Sequence, residues 1–153
     1  MKELLLKTKD NWSPTIIRLM LALVIFPHGA QKLLGWFGGY GFSGTMGYFM
    51  QTVGLPWIIG FLVIVIEFFA PLLLAAGLLI RASAAALFGL FVGIIFNAHI
   101  QHGFFMNWSG NQAGEGFEYH LLVLGMAAAL VISGAGKYSA DRYLLNRNKT
   151  LSS

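Results

Sequence analysis

Four long apolar runs dominate this chain of 153 residues, at about 14–34, 55–79, 82–101 and 117–134. Each approaches the ~20 residues that a helix needs to cross the ~30 Å hydrocarbon core of a bilayer. At that depth no water is present to satisfy backbone N–H and C=O groups, so a spanning run must bond within itself as a helix. Composition agrees, with 57% hydrophobic and only 10% charged residues, where a soluble domain carries about 25% charged. So few charges cannot clothe a soluble surface, and so apolar a chain is not a disordered one. The length allows one unit, 1–153, and no second domain. The class is an all-α membrane protein.

Local signals set the limits of the runs. Ser13-Pro14 opens the first and Pro56 the second, each placing proline in a first helical turn. Gly134-Ala135-Gly136 stops the fourth. Two loops separate the runs, a glycine-rich one at 35–54 and another at 103–116, while runs two and three are joined by a few residues around Arg81. Connections this short favour antiparallel neighbours and an up-down-up-down four-helix transmembrane bundle. Lys2, Lys7 and Lys9 precede the first run as they would precede a signal peptide. No small-residue cleavage site follows and Arg18 interrupts the run, so it reads as a retained helix.

The basic residues orient the bundle. Lys2, Lys7, Lys9, Arg18, Arg81, Lys137, Arg142, Arg147 and Lys149 fall on one side, and Lys32 alone on the other. Basic residues are retained in the cytoplasm, so both termini are expected there and both long loops outside. The net charge of +4 is thereby topology, and no nucleic-acid partner is expected. The chain has no cysteine, which excludes thiol chemistry and cysteine-held metal clusters. A redox role would run through a bound cofactor.

Polar side chains inside a span are costly and mark interior or water-filled positions. His28, Gln31 and Lys32 share one face of the first helix at i, i+3, i+4. Asn97, His99 and His102 occupy the outer third of the third run, and Glu118 and His120 the first turn of the fourth. Three helices therefore bring polar groups to one outer-leaflet level. Glu67 stands mid-run among Ile64, Val65, Ile66, Phe68 and Phe69, where an unpaired carboxylate is expected to protonate or recruit a cation. Arg18 and Lys32, on nearly the same face of the first helix, are the candidates. Ordinary readings exist beside these: Arg18 snorkelling to the cytoplasmic headgroups, Lys32 and Glu118 to the outer ones, His102 as a solvated ring.

Several motifs tempt. Gly39-Tyr40-Gly41-Phe42-Ser43-Gly44 fits G-x-G-x-x-G but lacks the strand and Rossmann helix that give the pattern meaning. Its glycines instead let the loop fold back, with Trp36, Phe37, Tyr40 and Phe42 at the interface. Gly89 and Gly93 form a G-x-x-x-G, a face for close helix approach within the bundle or between subunits. His99-x-x-His102 with His120 or Glu118 has permissive metal spacing but no specific ligand pattern, and no metal site is assigned.

One block is more specific. His28-Gly29-Ala30-Gln31-Lys32-Leu33-Leu34-Gly35-Trp36-Phe37-Gly38-Gly39 resembles the HGxQKLFGWFGG signature of the DoxX family. Gly44-Thr45, Gly54-x-Pro56, Glu67-Phe68, Arg81-Ala82, His99 with Gly103-Phe104-Phe105, Glu118-Tyr119 and Gly134-x-Gly136-x-x-Ser139-x-Asp141 fit the same pattern, which covers about 14–145. Pro27 before the histidine and Ala70-Pro71 depart from it. The resemblance implies a small four-helix protein of a bacterial or archaeal cytoplasmic (inner) membrane, with some relatives serving as subunits of a thiosulfate:quinone oxidoreductase.

The expected function is a quinone-linked membrane oxidoreductase, or a subunit of one, with its site near the outer leaflet. His28, Lys32, Glu67, His99 and Glu118 are the expected catalytic groups, and Gln31, Trp36, Phe37, Asn97 and His120 surround the cofactor. Quinone is the leading cofactor, with haem or a metal behind it. Partners are the lipid bilayer, a quinone-like molecule, a redox subunit and further copies of the chain. The alternative is a non-catalytic subunit whose polar cluster orients helices while its loops dock an outer-face partner. A transporter ranks third, since no discontinuous-helix pattern is evident.

Overall fold

A computed structural model describes residue 8 and residues 10–151, with side chains through Asn146. Lys2, Lys7 and Lys9, and the side chains of Arg147 and Lys149, on which part of the orientation rests, lie outside the described residues. The described chain is helical, without strands.

Helix α1 spans Trp12–Leu34 and begins two residues before the expected Pro14, because Asn11 caps it by accepting a hydrogen bond from the Ser13 amide at 3.2 Å. It ends at Gly35, whose φ of 75° supplies the left-handed turn that closes many helices. A 3₁₀ turn, Trp36–Gly38, leads to α2, Gly41–Gln51. Most of the stretch expected as loop is thus an 11-residue helix. Glycine at its start hides a helical period: Phe42, Met46 and Phe49 share one face, with Met46 buried and Phe42 packed edge-on to Phe61.

Helix α3 spans Trp57–Ala76 and α4 spans Ile80–Ile94, continued by a π-helical turn, Ile95–His99, and a 3₁₀ turn, Ile100–His102. Helix α5, Glu118–Ser133, and α6, Ala140–Leu151, complete the chain. Three segments are long and apolar enough to cross a membrane: Trp12–Leu34, Trp57–Ala76 and Ile80–His102. Helix α5 is apolar but has 16 residues, a length of about 24 Å.

Helix α1 packs most extensively on α3, and α4 on α5; α3 also meets α4, and α5 returns to α1. Leu21, Ile25, Leu74, Leu87, Val123 and Leu130 fill the centre without exposure. Outward, Ile16, Leu23, Leu62, Phe88, Leu122 and Ile132 stay exposed. An apolar surface of that extent calls for lipid rather than water. A close contact joins α1 to α3: a Cβ on Gly29 would stand 2.3 Å from the backbone oxygen of Glu67. Only glycine lets the two backbones approach so closely there.

Where the ends of α1, α3, α4 and α5 meet, Arg18 is buried at 3% exposure rather than snorkelling, and it does not pair with Glu67. Its Nη1 donates to the carbonyls of Leu74 and Ala75, each at 2.7 Å, its Nε to Ala135 at 3.1 Å and its Nη2 to Tyr138 at 2.8 Å. The final carbonyls of α3, which a helix leaves without partners, are satisfied this way. Asp141, 1% exposed, accepts from the amides of Leu79 and Ile80 at 2.8 and 3.0 Å and so caps the start of α4. Arg81 similarly donates to the carbonyls of Val131 and Ile132 at the end of α5.

Candidate functional site

Away from that polar end, the helices enclose a cavity of about 740 Å³. All of α1 to α5 and the π turn contribute walls, and Met106 and Glu115 of the loop 103–117 complete it. Most of the lining is apolar, including Ile25, Phe49, Val63, Leu90 and Phe91. The polar lining consists chiefly of His28, Lys32, Glu67, Asn97, His99, Tyr119 and His120.

Glu67 is 4% exposed, and its Oε2 lies 2.5 Å from Lys32 Nζ. The Gly29 contact sets this pair, since it brings the α3 backbone against α1 one helical turn before Lys32. Lys32 retains more contact with its surroundings, its side chain being 25% exposed against 5% for Glu67. A carboxylate in so apolar a place keeps its charge only with such a partner.

The π turn arranges the second half of the site. Its wider spacing inserts an extra residue into the helical register, a feature frequent at functional sites. His99 Nδ1 lies 2.8 Å from the Glu115 carbonyl, and the His99 ring centroid is 4.2 Å from that of His120. A carbonyl only accepts, so Nδ1 carries the proton and Nε2 of the neutral ring is left as an acceptor. His120 is 6% exposed and also packs against Phe91 and Tyr119. Its Nδ1 and the Tyr119 hydroxyl are buried with no hydrogen-bond partner. Buried polar atoms are almost always bonded, so two orphans on neighbouring residues of the cavity lining are unspent bonding capacity.

The structure gathers His28, Lys32, Glu67, Asn97, His99 and His120 around this cavity and leaves the other expected site residues out of its lining. Glu118 instead pins the loop 103–117, its Oε1 accepting from the Met106 amide at 3.0 Å and from Trp108 Nε1 at 3.4 Å. Gln31 Nε2 donates to the Phe37 carbonyl at 3.2 Å and steadies the 3₁₀ turn. Trp36 and Phe37 are exposed there, 54% and 65%, and form no lid over the cavity. Tyr48 and Phe49 of α2 close that side. They escaped the sequence reading because the segment was expected to be loop. Tyr119 was visible only as the neighbour of Glu118, and Glu115 bonds His99 through its backbone, which no residue type announces.

Two further expectations change. Gly89 and Gly93 line the cavity, and a Cβ on either would meet nothing within 4 Å, so within this chain they are no packing face. His102 does not line the cavity; its Nε2 lies 3.4 Å from Gln101 Nε2. Among the described residues no three His, Asp or Glu side chains are placed to hold a metal ion.

Fold and site together define a multi-pass membrane protein with a buried lysine–glutamate pair facing an apolar cavity. The chain belongs to the DoxX family, whose model matches residues 13–100, more than half its length. The match takes in His28, Lys32, Glu67, Asn97 and His99, and stops before Tyr119 and His120. Searches of curated proteins and of solved structures returned no match.

Proposed function

We propose that the chain is an antiparallel four-helix transmembrane protein of a bacterial or archaeal cytoplasmic membrane, with both termini cytoplasmic. In this reading α5 is the fourth span, and the cavity binds a quinone-like molecule near the outer leaflet as part of a quinone-linked oxidoreductase. One observation carries the reading: the Lys32–Glu67 pair stands with the unpartnered Tyr119 hydroxyl and His120 Nδ1 on the lining of an otherwise apolar cavity. A planar ring with two carbonyl oxygens needs donors at its edge and apolar walls at its faces. Lys32 and Tyr119 supply donors, and Phe91 and Phe49 supply walls. A bound quinone would supply two-electron, two-proton exchange, with an associated redox subunit as the electron source or sink.

The chain's own part is to position and protonate. Lys32 bonds Glu67 and donates toward the ring oxygen. Glu67 is the group placed to take or give a proton at the buried side. The His99 and His120 rings, tilted against each other at 42°, lead from that wall to the Glu115 carbonyl in the outer loop, a route for protons toward water.

Titration of the mildly solubilised protein with a benzoquinone tests this. Saturable binding is expected, and Glu67→Gln and Lys32→Ala should each weaken it by about tenfold. No binding, or affinity indifferent to both changes, would overturn the reading. A second reading, an outer-face docking subunit, draws on Trp108 and Phe105, 87% and 68% exposed on the outer loop. It predicts a copurifying partner that Trp108→Ala releases while quinone binding is absent.

A further inference from the structure

Gly89, Gly93 and Asn97 are four residues apart on α4 and so follow one face of that helix. All three are exposed, and all three also line the cavity. On the α3 side the lining includes Ile59, 44% exposed, and Val63. Residues that are at once surface and cavity wall mark an opening, and this one lies on the flank of the helices rather than at their ends. The flank belongs to Ile80–His102, a segment apolar and long enough to cross a membrane. A side opening at that level meets hydrocarbon, not water.

The opening continues inward to the polar part of the lining, where Lys32, Glu67, Tyr119 and His120 stand together. An occupant must therefore satisfy two demands at once, a hydrogen-bonding head inside and an apolar body along the flank. From Gly89 to Asn97 the stripe runs about 12 Å, and neither glycine puts a side chain in the way.

Resting on the quinone reading above, we infer that the ligand enters sideways from the bilayer between α3 and α4, and that the Gly89–Gly93 stripe seats its hydrocarbon tail. The ligand class is an amphiphile with a compact hydrogen-bonding head and a linear apolar chain. A helix from a second copy would also fit a glycine stripe, but it would leave the buried head positions unanswered. The continuity of stripe and cavity favours the amphiphile.

The test compares a tail-free dimethoxy-methyl-benzoquinone with its decyl-tailed counterpart, titrated calorimetrically into the full chain at one fixed detergent concentration. The unaltered protein should bind the tailed compound at least about tenfold more tightly, each buried methylene being worth up to about fourfold. Gly93→Leu should abolish most of that preference, read as the ratio of tailed to tail-free affinity in the same variant. Gly125→Leu, on an exposed part of α5 outside the cavity lining, should leave the preference intact. Because the ratio is compared between variants in the same detergent, partitioning of the tail cancels. If Gly93→Leu does not fold, Gly89→Ala and Gly93→Ala are read for the same ratio.

A preference that survives these changes, while Glu67→Gln still weakens the head, sinks the tail groove and spares the binding site. Retained preference together with a dimer that Gly93→Leu dissociates assigns the stripe to a second copy and likewise overturns the inference. Should neither compound bind the unaltered protein, both readings fall together.

Discussion

The two ends of the helices handle buried charge in opposite ways. At one, Arg18 and Asp141 are almost completely buried, and the hydrogen bonds around them run to backbone carbonyls and amides at the ends of α3 and α4. At the other, Lys32 and Glu67 face a cavity of about 740 Å³ beside a tyrosine hydroxyl and a histidine nitrogen that have no partner. Both ends place charges in apolar helices, so burial alone does not separate structure from function. Residual bonding capacity beside a cavity does, since the unpartnered Ser83 hydroxyl at the first end borders none. A saturated network fixes a conformation, whereas an unsaturated one lining a cavity is prepared for something to arrive.

The largest expected effect breaks the saturated end. Arg18→Leu strips partners from the carbonyls of Leu74, Ala75, Ala135 and Tyr138 without offering a replacement. Leu74 keeps the Gly77 amide, while each of the other three carbonyls left without its donor costs about 1–3 kcal/mol, so a loss of at least about 3 kcal/mol is expected. Thermal unfolding in a fixed detergent reads it. A change at the cavity end that destabilised the protein equally would abolish the contrast between the two ends.

The pattern of what could be read from sequence follows the same physics. The apolar runs were legible, and α1, α3 and α4 lie within a few residues of them, because lipid forces each segment to satisfy its backbone locally. Pairings between helices were not. Arg18 and Lys32 were equally placed on α1 to meet Glu67, and the choice between them depends on Gly29 admitting the Glu67 backbone, a three-dimensional fact. Helix α2 was hidden by its own glycines, and the π turn at Ile95–His99 has no residue signature. The polar level shared by His28, His99 and His120 was readable from rise per residue. The place of Glu118 was not, since its neighbour Tyr119 lines the cavity while Glu118 itself turns to the Met106 amide.

A smaller effect is expected at the cavity end, and its form sharpens the comparison. Lys32→Met leaves Glu67 without its cation, yet Glu67 borders a cavity and Lys32 is a quarter exposed. The stability loss should be about 1–2 kcal/mol, below that of a fully buried broken pair. Adding Glu67→Gln should recover most of it, giving a positive coupling in the double-mutant cycle. Quinone affinity should not recover in the double variant. Stability and binding thus part company at this pair, which they cannot do at Arg18. Recovery of binding together with stability would show that the pair serves packing alone.

The smallest effect belongs to the surface clamp beside the saturated end. Arg142 grips Asp10 with two nitrogens at 2.6 and 3.0 Å, but both side chains are substantially exposed, 37% and 56%. The hydrogen bonds from Arg142 hold the Asp10 carboxyl below its ordinary value, and Asp10 in turn raises the guanidinium. A carboxylate whose folded value is depressed stabilises the fold fully above its unfolded value, and that contribution is lost as pH falls through the depressed one. Asp10→Asn should therefore lower the unfolding temperature slightly at neutral pH and not at all in strong acid, and added salt should erase the difference. If Asp10→Asn instead matched Arg18→Leu, the terminal end would be held by its surface clamp. The buried carbonyl bonds of Arg18 would then lose their claim to be what closes the helices there.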